Sequence, residues 1–180
     1  MNLSQCISAL YPTAMVETDF SVLLTGSQWQ ITKWNTAKLG PQPTLADLEA
    51  AWPTVQLQQA KTTQRTLLTS QAVAAMTGGF QSSALGSVYT YPSTLTDQHN
   101  LSASVVASLL PSLPSGWTTP FWCQNSAGTW AFVSHTAAQI QQVGLDAKTW
   151  VTTQQTTLAS LIAQVEAATT VSAVQAVTWS

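Results

Sequence analysis

Residues 117–136 read Trp-Thr-Thr-Pro-Phe-Trp-Cys-Gln-Asn-Ser-Ala-Gly-Thr-Trp-Ala-Phe-Val-Ser-His-Thr, and a long amphipathic segment follows directly. Phe121 and Trp122 lie on one side of Asn125-Ser126-Ala127-Gly128, and Trp130 and Phe132 on the other. Two aromatic runs around a short Asn/Gly loop spell a β-hairpin. Alternation sends Phe121 and Trp122 to opposite faces, so one ring of the two is exposed. From Thr136 onward, Ile140, Val143, Ala147, Trp150, Leu158, Leu161 and Val165 recur at three- and four-residue steps. That is one apolar face of a helix of about three dozen residues, longer than most globular helices. The fold class this stretch implies is α+β, predominantly helical, with a long C-terminal helix and small β-hairpins.

Upstream, residues 3–10 suit two helical turns ending before Tyr11-Pro12. Asp19–Leu24 and Trp29–Trp34 flank Thr25-Gly26-Ser27, a second hairpin. Period-two alternation puts Trp29, Ile31 and Lys33 on one face and Gln30, Thr32 and Trp34 on the other. An isolated two-stranded hairpin is marginal in water, so this one must lie on something. Leu39-Gly40-Pro41-Gln42-Pro43 breaks the pattern. The organisation expected is an N-terminal hairpin arm and linker over residues 1–43, then a mainly helical domain over 44–180. The aromatic hairpin of that domain occupies about 117–134.

Within the second part, Thr44 caps a helix with Asp47 as capping-box partner, and Pro53 is expected to end or kink it. A further helix follows from Thr54 to Met76, with Leu57, Ala60, Gln64, Leu67 and Ala74 near one stripe, stopped by Gly78-Gly79. Two short strands with a turn at Ser82–Gly86 come next. Thr94 or Thr96 then caps a helix reaching Leu110, and a last short helix covers Val171–Val177. Gln154 falls on the apolar stripe of the long helix and reads as a polar position on an exposed turn. There is no repeat of fixed period.

The composition narrows the function classes. Only 7% of residues are charged, against 45% apolar and eight tryptophans among 180 residues. Typical domains carry about a quarter charged residues. Such a chain suits a life packed against partners, although an uncharged polar surface alone would explain it as well. The net charge is −2 and Arg65 is the sole arginine, which disfavours a phosphate-backbone partner. Apolar runs are short, so no membrane span is expected, and the N-terminus does not read as a signal peptide. Cys6 and Cys123 match no metal spacing and read as two buried thiols.

Chemistry finds little support. Asp97-Gln98-His99-Asn100 is the one suggestive cluster, but residues two apart on a helix do not face each other. Asp97 reads as a helix cap, and Ser82, Ser83 and Ser87 give His99 no distinctive nucleophile. His135 reads as a satisfied turn residue, and Glu17 and Asp19 as solvent-facing charges. Gly78, Gly79 and Gly86 form no phosphate loop. Seven acidic residues show no spacing for a carboxylate couple. Trp117, Trp122 and Trp130 could stack on sugar rings, a weak glycan contact, though aromatic residues in small β units usually fill the core. The sequence therefore nominates no catalytic, cofactor-binding or metal-binding residue, no cofactor and no enzyme.

Three groups of residues carry a resemblance. They are Asp19-Phe20 with Ile31–Asn35 and Pro43–Leu48; Gly79-Phe80, Leu85-Gly86, Tyr89-x-Tyr91-Pro92 and Thr96–Leu101; and Phe121-Trp122, Gly128-x-Trp130, Thr136–Ile140 and Val177–Trp179. Together they resemble a family of uncharacterised domains in tailed-phage and prophage proteins of the tail-fibre region, most closely from about Gly78 onward. The resemblance implies a phage tail protein, made in the host cytoplasm and carried in the virion at the tail tip, baseplate or fibre as an adaptor. The alternative it leaves open is a tail-fibre assembly chaperone absent from the particle. Implied partners are other phage tail proteins, with self-association left open, and neither nucleic acid nor a membrane. It carries over no functional residues.

Overall fold

The structure, a computed structural model, describes residues 1–179. Its elements in chain order are α1 (Leu3–Leu10), β1 (Phe20–Thr25), β2 (Gln28–Trp34), α2 (Thr36–Leu39), α3 (Leu45–Thr77), β3 (Phe80–Ser82), β4 (Tyr89–Tyr91), α4 (Leu95–Ser108), β5 (Thr118–Gln124), β6 (Trp130–Thr136), α5 (Ala137–Ala167) and α6 (Val171–Gln175). Long helices and small antiparallel sheets make this an α+β chain. It divides into two compact units: Met1–Gln64 with Val165–Val177, and Arg65–Gln164 with Thr178 and Trp179. The first unit thus extends past the Gly40–Pro43 break into α3 and takes in a C-terminal piece.

In the first unit, β1 and β2 pair antiparallel, and Leu3, Cys6, Ile7, Phe20, Leu48 and Val55 form its core. The hairpin lies on this core, as its marginal stability alone would require. The register slips between Ser21 and Val22, so that Ser21 pairs Lys33 and Val22 pairs Ile31. The bulge inserts one residue and reverses the alternation beyond it. Trp34 therefore joins Trp29 and Ile31 against the core instead of pointing away. Its ring meets Tyr11 edge-on at 5.0 Å, and its Nε1 donates to the Gly40 carbonyl over 2.9 Å. Asp19 is also not the solvent-facing charge expected. It is buried and accepts from Lys38 Nζ, from the Met15 N–H (2.9 Å) and from Asn35 Nδ2 (3.1 Å). Those partners follow from α2, a single turn capped by Asn35 that brings Lys38 to the carboxylate.

Pro53 neither ends a helix nor separates two, since α3 continues through it. An interior proline costs ~3 kcal/mol. Leu48 before it and Val55 after it are both buried in the same core, and each such side chain contributes ~1.5–3 kcal/mol. Packing on both sides of Pro53 outweighs the local penalty. Further along α3 the buried positions are Gln64, Leu68 and Ala72. Gln64 lies on the stripe that periodicity placed, whereas Leu67 and Ala74 of that stripe are exposed. Gln64 Nε2 donates to the Val177 carbonyl over 2.6 Å, tying the C-terminal piece into the first unit.

The second unit holds a four-stranded antiparallel sheet in the order β3-β4-β5-β6. Phe80, Tyr91, Leu101, Phe121, Cys123, Ile140 and Val143 make its core, with α4 and α5 supplying the helical side. Gln154 is buried here and not on an exposed turn. Thr94 caps α4 in a reciprocal box with Asp97. Thr136 and Gln139 exchange the same pair of bonds at the start of α5.

Candidate functional site

The loop Asn125–Thr129 fixes the geometry of the aromatic hairpin. Gly128 sits at φ +80°, its N–H donates to the Asn125 carbonyl over 3.0 Å, and Asn125 N–H donates to the Thr129 carbonyl over 3.0 Å. A left-handed residue at this point suits glycine, the turn-then-bulge form of a three-residue hairpin loop. From it the register runs without a slip through Gln124↔Trp130, Trp122↔Phe132, Phe121↔Val133 and Thr119↔His135.

That register sorts the side chains. Phe121, Cys123 and His135 are buried on one face. On the other, Trp122 is 40% exposed, Trp130 37% and Phe132 70%. Trp122 and Trp130 lie nearly parallel, 13° apart with centroids at 6.2 Å, and Phe132 packs on Trp122 at 4.9 Å. Three large rings standing together on an open sheet face form an apolar patch of the kind that marks contact sites. Periodicity foretold one exposed ring, and the register shows three. The rings stand beside one another and cover part of one another's faces, which leaves less free face for stacking on a sugar.

A second apolar feature lies between α4 and α5. Gly144 lets the two helices approach, because a Cβ there would lie 2.8 Å from Val105 Cγ2. Beside that contact is an open groove of about 620 Å³ lined by Leu101, Val105, Val106, Leu109, Leu145 and Val151, with Lys148 at its edge. Val106, Leu109 and Leu145 are exposed there. Sequence periodicity did not single out these residues, because an exposed leucine on a helix looks like any core leucine until the helix is packed.

The titratable groups are placed as follows. Asp97 is held by the Thr94 N–H (3.0 Å) and hydroxyl, which is the capping role. His99 lies on α4, and no bond joins it to Asp97 among those the structure gives. His135 is no turn residue: it lies in β6, fully buried. Its Nδ1 is 2.8 Å from the Val133 carbonyl and its Nε2 is 2.8 Å from the Tyr91 hydroxyl. A carbonyl only accepts, so Nδ1 carries the proton and Tyr91 O–H donates to Nε2. Burial lowers the His135 pKa from its ordinary value, opposed by the Val133 carbonyl. Burial raises Tyr91 and Cys123. The neutral forms of all three are thereby favoured. Cys6 and Cys123 are free and buried. Among the described residues no three His, Cys, Asp or Glu side chains group as metal ligands, and no described helix is long and apolar enough to cross a membrane.

Comparison with known proteins adds two family matches. Residues 3–60 match the family described as XkdW protein, which is phage-associated. Residues 56–178 match the Domain of unknown function DUF4376. No curated protein and no solved structure matches the chain. The second match spans more than half of the sequence, and the chain belongs to the DUF4376 family.

Proposed function

We propose that this chain is a structural, non-enzymatic interaction protein of a tailed phage, retained in the virion at the tail tip, baseplate or fibre as an adaptor between tail components. The observation that carries this reading is the exposed face of Trp122, Trp130 and Phe132. Three rings in water are costly for a lone molecule and favourable once a partner covers them, at roughly 25 cal/mol per Å² of apolar surface removed from water. The low charge supports the same reading, since contact cores are depleted in charged residues. The phage-associated match over residues 3–60 supports the phage context. Asp19, Asp97 and His135 are each engaged in holding the fold, which favours contact over bond-making.

The test is mass spectrometry of particles purified through a density gradient. The chain is expected at a fixed ratio to tail proteins and not to capsid proteins. Particles that lack it, while fibres fail to trimerise without it, would overturn the reading and make the chain an assembly chaperone.

A further inference from the structure

Strand β6 is a sheet edge, seven residues long. Edge strands offer unpaired N–H and C=O groups, and soluble proteins protect them with charge, proline, bulges or brevity. The hairpin of the first unit shows two such devices, the bulge at Ser21/Val22 and Lys33 on β2. At the opposite edge of the second unit's sheet, β3 is only three residues long. Strand β6 has none of these protections: Trp-Ala-Phe-Val-Ser-His-Thr carries no proline and no formal charge with His135 neutral, and its register has no slip.

The loop closure reveals which backbone groups face outward. Asn125 and Thr129 form a hydrogen-bonded pair, and such pairs alternate along an antiparallel ladder. Cys123↔Ala131, Phe121↔Val133 and Thr119↔His135 therefore bond inward. The N–H and C=O groups of Trp130, Phe132 and Ser134 point away from β5. Pro120, which has no N–H, agrees with this parity, since it stands opposite Ser134 in a pair that exchanges no bonds.

We propose that β6 pairs antiparallel with β6 of a second copy of this chain, about a two-fold axis through Phe132. On that axis the two Phe132 residues exchange both backbone bonds. Trp130 does so with the second copy's Ser134, and Ser134 with the second copy's Trp130. Every outward group of the strand's middle is then satisfied, with no residue left over at either side. The strand suits itself as partner because it brings no like charges together. The outer rings of the two copies become one continuous row, Trp130-Trp122-Phe132 meeting Phe132-Trp122-Trp130. A chain of another sequence would also satisfy the edge, but the symmetric register and the continuous row favour a second copy.

The test is sedimentation equilibrium of the full chain over a concentration series, with far-ultraviolet circular dichroism as the folding control. The native chain is expected to dimerise. Phe132→Lys puts two ammonium groups opposite each other, and Ser134→Pro deletes one outward N–H at a site where an edge strand tolerates proline. Each is expected to abolish the dimer while the spectrum is unchanged. Should Ser134→Pro fail to fold, Phe132→Cys decides: the axis brings its Cα atoms to about 5.5 Å, within bridging range. Mild oxidation is then expected to link two chains, and not to do so for Thr118→Cys on β5. A native chain that is monomeric throughout overturns the proposal. So does a dimer that survives Ser134→Pro in the folded state, or one lost only with Phe132→Lys, which would mean ring faces stacking without strand pairing. Failure of the introduced Phe132→Cys thiols to link overturns it too.

Discussion

Replacing Tyr91 by Phe removes one oxygen and little else. The ring stacks on Phe80 at 5.5 Å and 19° and touches Phe121 at 6.2 Å, contacts that Phe retains. What disappears is the donor to His135 Nε2, in a side chain with 0% exposure, together with the hydroxyl's hydrogen bond with the Cys123 thiol. A buried acceptor left without its donor costs ~1–3 kcal/mol. The effect also has a pH signature. Folded His135 is held neutral by burial and so titrates below its ordinary value, whereas the unfolded chain takes up the proton near pH ~6.5. Stability is therefore fully present above about pH 6.5 and declines below it, by at most ~1.4 kcal/mol per pH unit. The Tyr91 hydroxyl favours neutral imidazole, so Tyr91→Phe should raise the folded pKa and make the decline shallower. Urea unfolding followed by tryptophan fluorescence, repeated from neutral to mildly acidic pH for both proteins, measures both effects. A variant within ~0.5 kcal/mol of the native chain, the range of ordinary surface changes, with an unchanged slope, would refute the account of this pair.

Two other perturbations follow from the geometry. Gly79 sits at φ +109° and a Cβ there would lie 2.9 Å from the Tyr91 carbonyl oxygen, so Gly79→Ala should cost at least ~1–3 kcal/mol in the urea midpoint. Asp19 is held below the ordinary carboxylate range, first by the hydrogen bond from Lys38 and then by the Met15 N–H. That stability is present above pH ~4 and is lost as pH falls through the depressed folded value, and Lys38→Met should flatten the acid limb of an unfolding titration.

Much of the architecture was legible in local chemistry. Gly128 after Asn125, the Thr94–Asp97 box and the apolar steps from Ile140 to Val165 each specify an element through contacts within a few residues. The misreadings occur where distant residues decide. Trp34 depends on a bulge that only pairing with β1 creates. Pro53 is tolerated because a core gathered from α1, β1 and α3 holds both sides of it. Asp19 is buried because Lys38, nineteen residues on, reaches it. His135 reads as a turn residue from its neighbours, since its partner Tyr91 lies forty-four residues earlier. The aromatic face was half legible: alternation puts Phe121 and Trp122 on opposite faces, but which face is open, and that Trp130 and Phe132 share it with Trp122, depends on the pairing of β5 with β6 and on the core that buries Phe121 and Cys123.

The buried pair and the exposed rings are consequences of one register. A slip of a single residue in a strand exchanges its faces completely. In this hairpin it would send Trp122 or the Trp130–Phe132 pair inward, and bring Phe121 or His135 out. Apolar burial alone discriminates weakly between the two arrangements, because β5 carries an apolar ring on each face, Phe121 inward and Trp122 outward, and β6 carries Val133 inward with Trp130 and Phe132 outward. A hydrogen bond discriminates strongly. Tyr91 Oη and His135 Nε2 meet only in the observed register, and in the slipped one both are polar groups without each other. Such an arrangement exacts the desolvation cost of each. The Asn125–Gly128 loop sets the same register from the other end. A polar contact sealed in the core thus determines which rings face outward.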